Sequence, residues 1–199
     1  MAVAIPPATE EHLTFAQYIE GFDLNPPTTQ PYEILDGVVH MVQTPNWRHQ
    51  RIVGEIYLKF RQYENSSGRG MAGIAPFDVV IRQIPKLRTR QPDVCFISHE
   101  RLKENQEVFT SGPLLVAPEL VVEILSQSET PRSIQGKIED FRSVGVLECW
   151  IVSPEAETIQ VLLLKPEGIE TGPIYTYSQT LQSVAFPDLA FPVADLFGA

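Results

Sequence analysis

Residues 119–126, ELVVEILS, constrain the fold most strongly. Leu120, Val121, Val122, Ile124 and Leu125 leave almost no polar position, so neither face of this segment reads as solvated. A strand with a near-continuous apolar run belongs to a sheet covered on both faces. PDVCFIS at 92–98 shows the same weak alternation. Thr130 followed by Pro131 is a helix start, a capping side chain and then proline in the first turn. That helix runs to about Val144 and stops at Gly145, and ECWIVSP then reads as the next strand. A strand–helix–strand crossover predicts a parallel pair. The fold class that follows is α/β or α+β, one mixed central sheet flanked by helices on both sides.

Other elements fit this frame. Thr14 is placed to cap a short helix bearing Phe15, Tyr18, Ile19 and Phe22, and NPPTTQP then breaks the chain. YEILDGVVHMV reads as a hairpin around Asp36-Gly37. Asn46 caps a longer helix with Ile52, Ile56, Phe60 and Tyr63 on one face, ending in NSSGRG. Short strands are expected near 71–75 and 77–82, and a brief helix within 99–106. TIQVLLLKP pairs with ECWIVSP, YTYSQ adds a strand, and FPVADLFGA closes with a turn and a short helix. No internal repeat appears, and the prolines are scattered. This predicts one domain over residues 1–199, with 1–12 as a loose N-terminal arm.

Glu123 interrupts the apolar run. It shares a face with Val121 and Leu125, while Leu120, Val122 and Ile124 take the other. A buried carboxylate must be paired, hydrogen-bonded, protonated or bound to a cation. Asp93, opening the strand in PDVCFIS, poses the same problem. On the helix 131–144, Ile134, Ile138 and Phe141 fall within about 60° of one another. Lys137 lies between Phe141 and Val144, inside the apolar arc. It either snorkels to the rim or turns its ammonium to a carboxylate. Two carboxylates and a lysine so placed suit a hard divalent cation and phosphodiester hydrolysis. A structural Lys137–Glu123 salt bridge accounts for the same pattern.

The net charge of −10 opposes non-specific nucleic-acid binding. RQIPKLRTR at 82–90 is a local exception, with Arg82, Lys86, Arg88 and Arg90 and no acid among them. It reads as a solvated loop or a phosphate-facing patch. Cys95 and Cys149 lie in apolar segments without a CxxC or a nearby His cluster, so they read as two small buried hydrophobes. MAVAIPPATEEH lacks a basic region followed by an apolar core, and no apolar run is long enough to span a membrane. A cytoplasmic protein without membrane contact is the expectation.

The ordered blocks PYEILDGVVHMV, HQRIVGEI, QPDVCFIS, APELVVEILSQS, GKIEDFRSVGVLECWIVSPE and FPVADLF resemble the Uma-type restriction endonucleases of the PD-(D/E)XK nuclease superfamily. The resemblance extends from about residue 13 to 197. It implies a restriction-endonuclease-like fold and a Mg²⁺-dependent site, with Mn²⁺ as a substitute, that cuts DNA. Pro92-Asp93 matches the PD element and Glu123 the acidic position of the second element. The family's helix lysine falls on Lys137, and Glu33 matches an acidic position near the site. Asp93 and Glu123 would be the metal ligands, with the Ile124 carbonyl as an extra one. His49 is a phosphate contact or a structural residue of the helix N-terminus. Asp78 is a further acidic candidate, or else a strand-end carboxylate in solvent. One departure stands out: Leu125 occupies the place where the superfamily pattern puts lysine. The alternative is therefore a catalytically silent binding or regulatory module on the same scaffold. Analogy with nucleases of this kind implies a homodimer, two sites addressing two strands.

Overall fold

The computed structural model describes residues 12–22, 32–104, 112–126 and 129–198. The arm proposed for the N-terminus, apart from His12, and the NPPTTQP break lie outside these residues. So does the end of the helix expected within 99–106.

In chain order the elements are α1 (Phe15–Phe22), β1 (Tyr32–Leu35), β2 (Val38–Met41), α2 (Trp47–Ser67), β3 (Gly70–Ile74), β4 (Val79–Arg82), β5 (Arg88–Arg90) and β6 (Val94–Ser98). There follow α3 (His99–Leu102), β7 (Leu120–Ile124), α4 (Pro131–Ser143), β8 (Glu148–Ser153), β9 (Thr158–Lys165) and β10 (Gly168–Thr176). The described chain closes with β11 (Thr180–Gln182), β12 (Ala190–Pro192) and α5 (Ala194–Phe197). Caps and turns behave as the sequence predicts. Asn46 accepts from the His49 amide at 2.9 Å, and Gly68 ends α2 with φ of 61°. Asp36 and Gly37 both take positive φ, as a tight two-residue hairpin requires.

Six strands form the central sheet in the order β10-β9-β8-β7-β6-β3. β7 and β8 run parallel, in register from Leu120 opposite Glu148 to Ile124 opposite Val152; the other pairings are antiparallel. α4 makes the crossover between the two parallel strands, because antiparallel neighbours alone could be joined by a tight turn. All five residues of β7 are buried. Leu120, Val122 and Ile124 pack with Trp150 and with Ile52, Ile56 and Phe60 of α2. Val121 packs on the opposite face with Cys95, Cys149, and Ile138 and Phe141 of α4. The apolar run is thus a strand between two helical layers, which is why it could dispense with alternation.

Three readings need correction. The stretch 82–90 is a solvated loop only in its first half: residues 82–86 are exposed, whereas Arg88–Arg90 forms β5, paired antiparallel with β4. Asp78 is not in solvent; it is 4% exposed, accepting from the Tyr18 hydroxyl and from Gln91 Nε2 at 3.1 Å. Of the expected YTYSQ strand only Tyr175 and Thr176 are strand, the last two residues of the nine-residue β10; residues 177–179 form the turn that follows.

Cys95 and Cys149 are free and buried. Burial pushes the Cys95 thiol up to about 12, and burial likewise raises Cys149 well above the ordinary range. Since the thiolate is the reactive species, both should resist an aromatic disulfide reagent at pH 8 in the native protein. Both should react once urea unfolds it. Rapid labelling of either in the native state would contradict this packing.

Candidate active site

The site lies where β6 begins and β7 ends. Val94 stands opposite Val122, so Asp93, one residue earlier, meets the chain at Glu123 and Ile124. Asp93 Oδ2 accepts from the Ile124 amide at 2.8 Å. Glu123 faces α4, and its Oε2 accepts from Lys137 Nζ at 2.7 Å. Lys137 therefore does not snorkel to the rim; it points inward and also reaches Glu129 Oε1 at 3.0 Å. Glu129 is in turn fixed by the Ser126 amide at 3.0 Å.

Charge is unbalanced here. Burial pushes the Glu123 carboxyl well above the usual carboxylate range against the pull of Lys137, and the Asp93 charge adds to the rise. Burial works against the Lys137 ammonium, but Glu123, then Glu33 and Glu129, hold its pKa above the ordinary lysine value. The two shifts differ in origin: burial dominates at Glu123, whereas at Lys137 the surrounding carboxylates outweigh burial. Glu123 Oε1 is buried and has no hydrogen-bond partner among the described residues.

His49 reaches the same point from the first turn of α2. Its Nε2 lies 3.1 Å from the Ile124 carbonyl oxygen and 3.4 Å from Asp93 Oδ2. Burial opposes its protonation, yet the hydrogen bond and charge of Asp93 raise its pKa above the usual imidazole value. His49 is thus a neighbour of the carboxylate rather than a residue of the helix end alone.

The remaining acidic and basic candidates form a second tier beside α4. Glu33 Oε2 accepts from Arg90 at 2.7 Å, and its Oε1 accepts from the Gln91 amide at 3.3 Å. Arg90 and Arg88 both donate to Asp140 Oδ2, at 2.7 and 2.8 Å. Arg88 and Arg82 also pair with Asp36, and Lys86 Nζ lies 3.1 Å from His12 Nε2. The three arginines are held by carboxylates of the fold itself. Glu129, Asp140 and Gln91 escaped the sequence reading. Each is an ordinary polar residue in a loop or on a helix, and none breaks an apolar pattern.

Magnesium is the ion the resemblance implies. Among the described residues no group of three or more His, Cys, Asp or Glu side chains stands in a metal-holding arrangement. Asp93, Glu123 and the Ile124 carbonyl are all hard oxygen donors. Mg²⁺ commonly takes one or two carboxylates and keeps several waters, so a two-carboxylate set suffices. The unpartnered Glu123 oxygen and the surplus negative charge both favour a cation. The residues fit.

Comparison with known proteins adds the lineage. A family model described as "Uma2: Putative restriction endonuclease" matches residues 16–194. A crystal structure of a putative nuclease belonging to DUF820 from Anabaena variabilis ATCC 29413 superposes with a TM-score of 0.73 at 17% identity. The match covers 93% of this chain and 97% of that one; at such low identity it speaks for the fold. No curated protein matches. Among the described residues no helix is long and apolar enough to cross a membrane. With the family model spanning nearly the whole chain and the same fold in a solved relative, this chain belongs to the Uma2 family of putative restriction endonucleases.

Proposed function

We propose that the protein is a divalent-cation-dependent endonuclease that hydrolyses phosphodiester bonds in DNA. The observation that carries the reading is Glu123 Oε1, a buried carboxylate oxygen without a partner among the described residues, beside Asp93 and Lys137. A purely structural carboxylate would have both oxygens satisfied.

Asp93 and Glu123 would hold Mg²⁺, with Mn²⁺ able to replace it, and the Ile124 carbonyl would add a donor. Such an ion stabilises charge on the phosphoryl oxygens and lowers the pKa of bound water. Lys137 orients the attacking water from the α4 side and assists its deprotonation. His49 holds the Asp93 carboxylate and the Ile124 carbonyl in place. Glu33 acts through Arg90, whose guanidinium ties β1, β5 and α4 around the site. Leu125 at the superfamily's usual lysine position favours the second reading, a silent nuclease-fold module. In the first reading Lys137 takes over that role from the helix.

Wild type and Asp93→Ala should be compared on plasmid and single-stranded DNA with Mg²⁺ or Mn²⁺. Wild type is expected to cut, and Asp93→Ala to fall to background. Equal activity in the two sinks the proposal. Calorimetry separates the second reading, in which neither ion binds.

A further inference from the structure

Lys137 is held from two sides, and the cleavage chemistry accounts for only one of them. Its Nζ donates to Glu123 Oε2 at 2.7 Å and forms an ion pair with Glu129 Oε1 at 3.0 Å. Glu129 immediately precedes Thr130, the cap of α4. Helical side chains lean back toward the helix N-terminus, so a lysine about two turns into α4 reaches a residue beside its cap. Glu129 is itself pinned. Its amide donates to the Ser126 carbonyl at 3.2 Å. Its Oε2 accepts from the Ser126 amide at 3.0 Å and from the Ser126 hydroxyl at 3.3 Å. One carboxylate oxygen fastens the loop and leaves the other for the ammonium.

The second anchor matters once Glu123 is shared. A divalent ion on Asp93 and Glu123 would draw on the carboxylate that Lys137 uses, and the two cations would repel each other. With Glu123 as its sole partner the ammonium would be driven toward solvent, which its 18% exposed side chain can reach. Glu129 opposes that. It does not join Asp93 and Glu123 in a metal-holding trio among the described residues, so it stays with the lysine. Burial works against its charge, but Lys137 and the Ser126 bonds hold its carboxyl below the usual range. An ammonium has three N–H donors. With two turned to Glu123 and Glu129, a third is left for a water, and its direction is fixed by the other two.

We propose that Glu129 is the positioning residue of Lys137: it keeps the ammonium at the site when a divalent ion shares the Glu123 carboxylate, with one N–H left for the attacking water. The role of the water rests on the nuclease reading, but the hold on the ammonium can be measured without cleavage.

The full-length protein, labelled with ¹⁵N in its lysines, is followed by the NMR signals of the ammonium groups, which survive only where burial and pairing slow exchange with water. The Lys137 signal is assigned by its disappearance in Lys137→Arg. Wild type should show it in EDTA and in saturating Mg²⁺. Glu129→Gln should show it in EDTA, where Glu123 suffices, and lose it in Mg²⁺. Glu129→Asp, which keeps the charge and loses reach, should fall between the two. In the plasmid assay the kcat of Glu129→Gln should drop on the order of tenfold with KM for DNA little changed. A Glu129→Gln signal that persists in Mg²⁺, one already lost in EDTA, or an undiminished kcat overturns the proposal. Where exchange hides the signal even in wild type, the kcat and KM split decides. Calorimetry separates the two failures: no Mg²⁺ binding by wild type rejects the nuclease reading and this role with it, whereas Mg²⁺ binding with a persistent Glu129→Gln signal rejects this role alone.

Discussion

Replacing Glu148 by alanine should remove on the order of 4 kcal/mol of folding stability, a large share of what a domain of this size holds. Glu148 opens β8 and is fully buried, as are Trp150 and Val152 on the same face of the strand. Its Oε1 accepts from the Trp150 indole at 2.7 Å. Its Oε2 accepts from the Ser183 hydroxyl at 2.7 Å and from the amides of Val184 and Ala185 at 2.9 and 2.8 Å. Alanine would leave the buried Trp150 indole and Ser183 hydroxyl, and the partly buried amides of Val184 and Ala185, facing a cavity, and a stranded donor loses its bond to water without replacement. The Ser183 hydroxyl can rotate, but the two amides and the indole cannot. The segment 183–185 joins β11 to the turn before β12, so the C-terminal layer over the sheet should loosen first. Glu148→Gln should cost less. An amide oxygen at the Oε2 position keeps three of the donors and sacrifices only the indole. Urea titration followed by near-ultraviolet dichroism, which reports Trp150, checks both variants. An alanine variant within 1 kcal/mol of wild type would show that these donors find other partners.

Glu148 and Glu123 pose the same puzzle in the sequence, a carboxylate in a strand of apolar residues, and the structure gives opposite answers. Glu148 is saturated by four donors from the chain. Among the described residues Glu123 has one, Lys137, and an oxygen left over. Burial of an acid is thus visible in a strand pattern, but its purpose depends on partners that arrive from elsewhere in the chain.

The same distinction separates what was legible from what was not. β7, α4 and the parallel β7/β8 pair follow from local signals: an apolar run, a Thr-Pro start and a Gly stop. Lys137 was legible because it violates the apolar arc of its helix. By contrast β5 is three residues long, and its arginines suggest solvent until Glu33, Asp36 and Asp140 close on them from β1, the hairpin turn and α4. Asp78 looked like a strand end because its cover, Tyr18, comes from α1, sixty residues away. Only the last two residues of β10 were read as strand, because its register shifts between Thr171 and Ile174, which interrupts the alternation that marks a strand.

Lys137→Met is the second large effect, and it separates a structural ion pair from a catalytic one. Lys137 and Glu123 have side chains 18% and 6% exposed, so solvent screens their attraction little. Removing one partner of such a buried pair typically costs ~3–5 kcal/mol, because the other charge is left uncompensated. Here the cost falls on Glu123, already raised by burial and by Asp93. In EDTA the single variant should therefore be strongly destabilised, while Glu123→Gln combined with Lys137→Met should recover most of the loss, since an amide needs no counter-charge. Mg²⁺ tests the other half of the argument. With the competing ammonium gone, the carboxylates should hold the ion more tightly, so saturating Mg²⁺ should stabilise Lys137→Met more than it stabilises wild type. Restored stability should not restore cleavage, because no group remains on α4 to orient the water. Denaturant titrations with and without Mg²⁺, run beside the plasmid assay, read all three quantities. If Lys137→Met is as stable as wild type in EDTA and gains nothing extra from Mg²⁺, then Glu123 does not depend on a cation, and the electrostatic basis of the site is wrong.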